Sequence, residues 1–380
     1  MKKITFLGTG IAAGLVLAAP AMAQSNVTIY GAIDAGLTYT DNGKAKTTAV
    51  TSGVSSASRL GFIGAEDLGG GLKARFQLEA GFDSDTGAMK TYTGNPASAT
   101  PAAPGGVASS GLFNRRAFVA LESPYGTLAL GRDYTPLYWT LLETDPLRLQ
   151  LYGNAQQTIL LSGTGSDRYG RASNAVFYTT PTWHGLLARG MYSAGSESGG
   201  GAGAPPKAAN RMKSIAAQYK GESLLLAGAY QELELPTVSR APLAFTGETE
   251  PRKDLVLGAK YTVGDYSVAG GYFHANQPVS SNDSTDVWFG GGVVMGLSTV
   301  QVNAHRIAQD AVLGRAPRST VLALSYLYRL SKRSMLYVSY GQSRNNSTGA
   351  VALVSNDTAV APAAAGARVR ALTLGINHSL

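Results

Sequence analysis

The chain has 380 residues, 32 lysines and arginines against 24 acids for a formal charge of +8, and no cysteine. The missing cysteines exclude a disulfide framework, a thiolate metal site and a thiol nucleophile, and the cations form no run of the kind that tracks nucleic acid. Past the first residues no stretch approaches the roughly 20 apolar residues of a membrane helix, so any crossing of a bilayer has to be made by strands.

The N-terminus reads as an export signal. Lys2 and Lys3 precede an apolar stretch from Ile4 to Ala19, and Ala21-Met22-Ala23 supplies the small-x-small pattern of a cleavage site. The expectation is a leader of residues 1–23, removed after Ala23, and one mature domain of residues 24–380. Gly8, Gly10 and Gly14 follow no strand and lack dinucleotide-loop spacing, so they carry no cofactor reading. Without Lys2 and Lys3 the mature charge falls to about +6.

Behind the leader, polar and apolar residues alternate. Leu72, Ala74, Phe76, Leu78, Ala80 and Phe82 fall on one side of an extended chain, and Lys73, Arg75, Gln77 and Glu79 on the other. Similar segments recur near 26–40, 57–67, 71–83, 112–122, 127–134, 171–180, 185–193, 210–220, 223–231, 253–263, 266–274, 285–295, 297–306, 319–329, 334–342 and 368–380. That makes sixteen, and most have the 9 to 11 residues, roughly, that a tilted strand needs to span a bilayer.

Short connections, such as 67–71, 123–126, 181–184, 220–222, 264–265 and 330–333, are interleaved with long ones. An even strand count with short turns at one rim and long loops at the other predicts an all-β fold. The expected form is a transmembrane antiparallel up-and-down barrel, greasy outside and hydrated inside. Tyrosines near strand ends, such as Tyr39, Tyr219, Tyr261 and Tyr340, suit the two interfaces. The loops at 91–110, 196–206 and 358–366 are small and polar. The segment 133–170 instead carries Tyr134, Tyr138, Trp139, Leu141, Leu142, Leu147 and Leu149, too much apolar surface to leave in water. Its expected resting place is the inner wall.

Several motifs resemble one family. They are Gln24-Ser25-Asn26-Val27-Thr28-Ile29-Tyr30-Gly31, Ser58-Arg59-Leu60-Gly61-Phe62, Glu66-Asp67-Leu68-Gly69-Gly70-Gly71-Leu72-Lys73-Ala74 and Phe76-Gln77-Leu78-Glu79. With Phe113-Asn114-Arg115-Arg116-Ala117-Phe118-Val119, Tyr125-Gly126-Thr127-Leu128-Ala129-Leu130-Gly131-Arg132 and Leu372-Thr373-Leu374-Gly375-Ile376-Asn377-His378, they resemble the general porins of beta-proteobacteria over essentially the whole chain. The resemblance implies a sixteen-stranded, homotrimeric, water-filled channel in the outer membrane, among lipid and lipopolysaccharide, with the third long loop, here 133–170, folded into the lumen. The family usually ends in Phe. Leu380 departs from that pattern, which bears on membrane insertion more than on fold.

A diffusion pore performs no bond chemistry and selects by width and by the field across its waist. Strand parity places Arg59, Lys73, Arg75, Arg116, Arg171 and Arg189 inside as a basic wall, with Glu143 and Asp145 on the loop opposite. Parity from Leu128 and Leu130 points Arg132 outward, and parity from Ala117 and Val119 does the same to Arg115, although the resemblance favours both as constriction residues. A bulge or a position at the rim would resolve the conflict. The cationic wall predicts an anion-preferring channel for ions and small hydrophilic solutes, and a selectivity shift toward cations when Arg75 and Arg132 become glutamate.

Other functions find little support. His184, His274, His305 and His378 stand at no ligand spacing, and Asn303 with His305, which superficially matches the grouping of outer-membrane lipases, has no serine nucleophile beside it. The Asp and Asn residues around 282–286 read as a turn rather than a calcium site. No catalytic residue, metal or cofactor is expected. A substrate-specific porin for organic anions is the alternative, and a surface adhesin a weaker one, since the loops lack aromatic hot spots.

Overall fold

A computed structural model describes residues 26–90, 111–157, 170–195, 204–239, 244–276, 283–311 and 314–380. The expected leader and the loop at 91–110 lie outside them, as does most of the loop at 196–206. The first half contains β1 (Asn26–Asp41), β2 (Lys46–Ser52), β3 (Arg59–Gly69), β4 (Leu72–Gly81), β5 (Arg116–Ser123), β6 (Gly126–Tyr134), α1 (Pro136–Thr144), β7 (Arg171–Thr179), β8 (Leu186–Ser193) and β9 (Met212–Lys220). The second contains β10 (Leu224–Val238), β11 (Phe245–Val263), β12 (Tyr266–Asn276), β13 (Ser284–Met295), β14 (Ser298–Gln309), β15 (Arg318–Arg329), β16 (Ser334–Asn345), the small hairpin β17 (Leu353–Val354) and β18 (Ala359–Val360), and β19 (Val369–Ser379).

Neighbouring strands pair antiparallel all the way round, and β1 against β19 closes the circle, with Ala32 opposite Ser379 and Asp41 opposite Arg370. The described residues fill sixteen strand positions, because β2 and β3 are two halves of the second strand. β2 pairs with the upper part of β1 and β3 with the lower part. Between them residues 53–58 fold inward, where Val54 and Ser55 donate their N–H groups to the Asp34 carboxylate at 2.9 and 3.2 Å.

The alternation in the sequence becomes inside against outside. On β15, Leu322, Leu324, Tyr326 and Tyr328 are exposed on the outer surface, whereas Ser319, Val321, Ala323, Ser325 and Leu327 are buried toward the lumen. Tyr39, Tyr192, Tyr272 and Tyr340 mark the loop-side end of the outer face, and Tyr219, Tyr261, Tyr266 and Tyr328 the turn-side end.

One expectation needs correction. The sequence pattern stops a strand at Gln231 and resumes at Lys253, but β10 and β11 continue as a paired hairpin through Leu235 opposite Glu250. Pro236 and Pro251 read as breakers. In the barrel they lie beyond the last residues that pair with β9 and β12, Leu233 and Lys253, so no ladder on the outer side needs their missing N–H.

The interior is filled by the segment after β6. Thr135 caps α1, accepting a hydrogen bond from the Tyr138 N–H at 3.2 Å, and Pro136 opens the helix without wasting a donor. Leu137 and Leu141 pack with Leu233, Val256, Phe273 and Trp288 of the inner wall into a dry cluster. Leu151 and Tyr152 continue into a second cluster with Val321, Tyr337 and Leu353. Gly258 allows the close approach of the helix, since a Cβ there would lie 2.5 Å from the Thr144 Cβ. Gly258→Val is expected to cost about 1 to 3 kcal/mol by overpacking, seen as a lower temperature for heat-induced loss of the compact barrel on a semi-native gel.

Candidate functional site

With one half of the inner wall covered by the loop, the opposite side, β3 to β8, is left to carry charge. Glu79 of β4 is the hub. Its Oε1 accepts from Arg115 Nε at 2.7 Å, its Oε2 accepts from the Tyr30 hydroxyl at 2.9 Å, and Arg59 Nε stands 3.6 Å away. On the next strands Arg116 grips Asp133 with two parallel bonds of 2.7 and 2.8 Å, the fork-to-fork geometry that favours arginine over lysine.

The Tyr134 hydroxyl accepts from Arg115 Nη2 at 2.7 Å and from Arg171 Nη2 at 2.8 Å. Arg171 also lies over the Tyr134 ring at 4.5 Å, and that ring stacks on Tyr138 of α1 at 4.2 Å. Trp139 faces two guanidinium groups, Arg189 at 5.6 Å and Arg116 at 6.0 Å from its ring centre. The aromatic start of the loop therefore holds the arginines in place from the lumen side while leaving their charge intact.

On the wall itself five arginines, 59, 115, 116, 171 and 189, thus stand with two carboxylates, Glu79 and Asp133, while Glu143 faces them from the loop beside its own partner Arg148. Arg189 makes no ion pair with a described carboxylate; besides the Trp139 ring it meets the Gln218 side-chain oxygen at 3.5 Å. Glu79→Gln removes one of the two negative charges without changing shape. It is expected to move the zero-current potential in a salt gradient further toward the anion limit, by less than any arginine reversal moves it back.

The remaining candidates sit elsewhere. Arg75 points inward but pairs with Glu122 near the short-turn rim, and Lys73, opposite Glu122 in the ladder, is exposed there. Both have the expected parity and the wrong height. Arg115 is buried and inward although parity from β5 points it out, because it precedes the first residue of that strand and turns to Glu79. Arg132 keeps its outward register opposite Ala117. It lies beside a bulge in β7, where Asn174 adopts φ +53°, and donates to the Asn114 carbonyl at 2.9 Å and the Ser173 hydroxyl at 2.8 Å.

Glu143 borders the lumen, with Arg148 at 3.8 Å, and is the loop carboxylate whose charge reaches Arg189. Asp145 corrects the expectation of a second pore acid, for it is fully buried and turned away from the arginines. It accepts from the Leu149 N–H at 2.6 Å and from Asn303 Nδ2 at 3.1 Å, and burial lifts its carboxyl to about 6 against the stabilising Leu149 hydrogen bond.

Asp145 belongs to an anchor that the sequence reading missed. His305 Nδ1 lies 2.8 Å from Asp286 and its Nε2 lies 3.0 Å from the Gly153 carbonyl, which also accepts from Asn303 Nδ2 at 3.0 Å. Asn303 and His305 are thus clamps that hold the loop on β14. Their spacing of two, on the same parity as Gln301, was the available signal. Lys260 of β11, on the same parity as Val256 and Gly258, is a further inward cation set near Glu143 and Arg148.

The family model described as Gram-negative porin matches residues 9–348. The outer membrane porin protein 32 of Delftia acidovorans is 27% identical over 373 residues, covering 96% of this chain and 97% of that one. An outer membrane porin protein of Bordetella pertussis is 28% identical, covering 91% and 95%. Among solved structures, an anion-selective porin from Comamonas acidovorans superposes with a TM-score of 0.77 at 23% identity, over 94% of this chain and all of the other. OmpT of Vibrio cholerae gives 0.65 at 12% identity, over 94% and 98%.

Proposed function

Since the chain belongs to the Gram-negative porin family, and is an outer-membrane porin and a channel protein rather than an enzyme, we propose that it is a general diffusion pore with a preference for anions. The observation that carries this reading is the surplus of arginine over carboxylate at the waist, beside a loop that confines solutes to that side. A low-dielectric wall focuses such a field on whatever passes. The Comamonas neighbour is named an anion-selective porin. Residues 1–23 act as the cleaved leader, and the working unit is a homotrimer embedded among outer-membrane lipid and lipopolysaccharide.

The test is solute flux into liposomes containing the purified protein. Monovalent organic anions are expected to enter faster than neutral sugars of the same size, and cations of that size more slowly. Equal rates for the three classes would overturn the preference. A second reading, a porin dedicated to organic anions, is favoured by the arginine faces around Trp139, which suit a planar carboxylate. It requires flux that saturates for one solute and not for others.

A further inference from the structure

The inner loop makes its tightest bend on the turn side of the waist. Arg148 and Leu149 adopt φ +53° and +57°, left-handed conformations that cost any residue but glycine and persist only where the surroundings impose them. Asp145 supplies the constraint. Its carbonyl accepts from the Arg148 N–H at 3.1 Å and its carboxylate from the Leu149 N–H at 2.6 Å. Gln301, three residues from the start of β14, donates to the Pro146 carbonyl at 3.2 Å and fixes the height of the bend. Leu149 is thereby buried, and Arg148 is turned into the water with its side chain 49% exposed.

The wall around the bend is basic. Leu225 of β10 pairs with Lys220 on one side and Lys260 on the other, so two inward lysines stand in one row with a single apolar residue between them. Their Cα atoms are two strand spacings apart, about 10 Å, and a concave wall brings side chains of that length together. Lys220 is exposed, Lys260 is half-buried, and neither forms an ion pair with a described carboxylate. The charges of Arg148, Glu143 and Lys220 all reach Lys260. Arg189 joins the group to the waist through Gln218, whose side-chain oxygen it meets at 3.5 Å and which stands two residues from Lys220 on the same face of β9.

Three cations, Arg148, Lys220 and Lys260, thus share one water-facing carboxylate, Glu143, which lies 3.8 Å from Arg148, beyond hydrogen-bond range. Asp145 does not enter this sum, because its carboxylate is buried and taken up by the bend and by Asn303. The surplus is two positive charges in a space bounded by β9, β11 and the loop. It matches a solute that carries two negative charges better than a solute that carries one.

We propose that Arg148, Lys220 and Lys260 form a binding station for small doubly charged anions on the turn side of the waist, with Arg189 and Gln218 as the step that connects it to the constriction. This rests on the reading of the barrel as an anion-conducting pore. Glu143 sets the charge of the station, so that a dianion is retained and a monoanion passes. The strained bend at Arg148 has a purpose in this scheme, since it places the one cation that no strand supplies.

The test uses the full mature protein in planar bilayers, with chloride conductance followed as potassium sulfate or potassium perchlorate is added to both sides. The two anions are both tetrahedral and differ in charge. Sulfate is expected to halve the chloride conductance at about a tenfold lower concentration than perchlorate. Lys220→Gln/Lys260→Gln is expected to abolish that margin, and Glu143→Gln, which raises the surplus to three, to widen it. Lys73→Gln/Arg75→Gln, at the turn-side rim on β4, is expected to leave it unchanged. Equal action of the two anions on the wild type, or an unchanged margin in the lysine variant or in Glu143→Gln, overturns the proposal. So does an equal loss in the Lys73 and Arg75 variant, which would make the effect one of diffuse rim charge. The zero-current potential of the same channels in potassium chloride keeps the two readings apart. Anion preference without a sulfate margin refutes the station and leaves the selectivity of the waist standing, whereas a margin without anion preference does the reverse.

Discussion

Converting Arg171 and Arg189 together to glutamate is expected to turn the pore from anion-preferring to cation-preferring. The pair contributes two of the five positive charges on the wall at the waist, and the double reversal changes a surplus of three positive charges over the two wall carboxylates, Glu79 and Asp133, into a deficit of one. A unit charge about 7 Å from a passing ion in water contributes roughly 0.6 kcal/mol before screening, and salt at about 0.1 M removes about half of that. Four units of charge acting with opposite sign on the two ions move their permeability ratio by on the order of tenfold or more. Neither arginine serves as the partner of Glu79 or Asp133, so the barrel is expected to fold normally. The measurement is the zero-current potential of the double variant, with Lys73→Glu/Arg75→Glu at the turn-side rim as the contrasting pair. If the rim pair shifts the potential as much as the waist pair, the constriction does not control selectivity.

His305→Leu is expected to free the loop. The histidine and Asp286 are both inaccessible to solvent, and removing one partner of a buried pair leaves the other uncompensated at a cost of about 3 to 5 kcal/mol. The Gly153 carbonyl loses one of its two partners in the same step. Larger and noisier single-channel currents are the functional result, with a lower temperature for loss of the folded barrel. A quiet current of unchanged size would show that the dry clusters around Leu141 and Tyr152 hold the loop unaided.

Asp145 adds a pH dependence of definite sign. A carboxyl raised from 3.8 to about 6 contributes stability that is fully present below 3.8 and lost as pH rises through 6. The melting temperature of the wild type relative to Asp145→Asn should therefore rise as pH falls from about 7 to about 4. A difference that stays flat over that range would mean the carboxylate is hydrated rather than buried.

The barrel was legible because its signal has the shortest period a chain can carry. Two faces of opposite polarity leave a mark in each segment, and short turns such as 123–126 mark where the chain reverses. Parity also gave the direction of Arg59, Arg75, Arg116, Arg171 and Arg189. It could not give their height, so Arg75 was grouped with residues of the waist although the ladder puts it beside Glu122 at the rim. It fails for Arg115, which the segment 112–122 includes but which precedes the first residue of the strand, Arg116.

The loop was legible only as a mass of apolar residues needing a wall. Which residues receive it depends on contacts between segments about 150 positions apart, such as Asp145 with Asn303, and no local pattern records those. The same limit hid the role of Trp139, whose aromatic character suggested core, while its ring lies between the two arginines that face it from β5 and β8.

The central claim is that fixed positive charge at the waist governs what passes. Its most direct test is the zero-current potential of the wild-type channel in a planar bilayer between concentrated and dilute potassium chloride. Chloride crossing faster than potassium makes the dilute side negative, which is the expected result. A dilute side at zero or at positive potential would contradict the account, because the arginines would then be neutralised or out of reach of the passing ions.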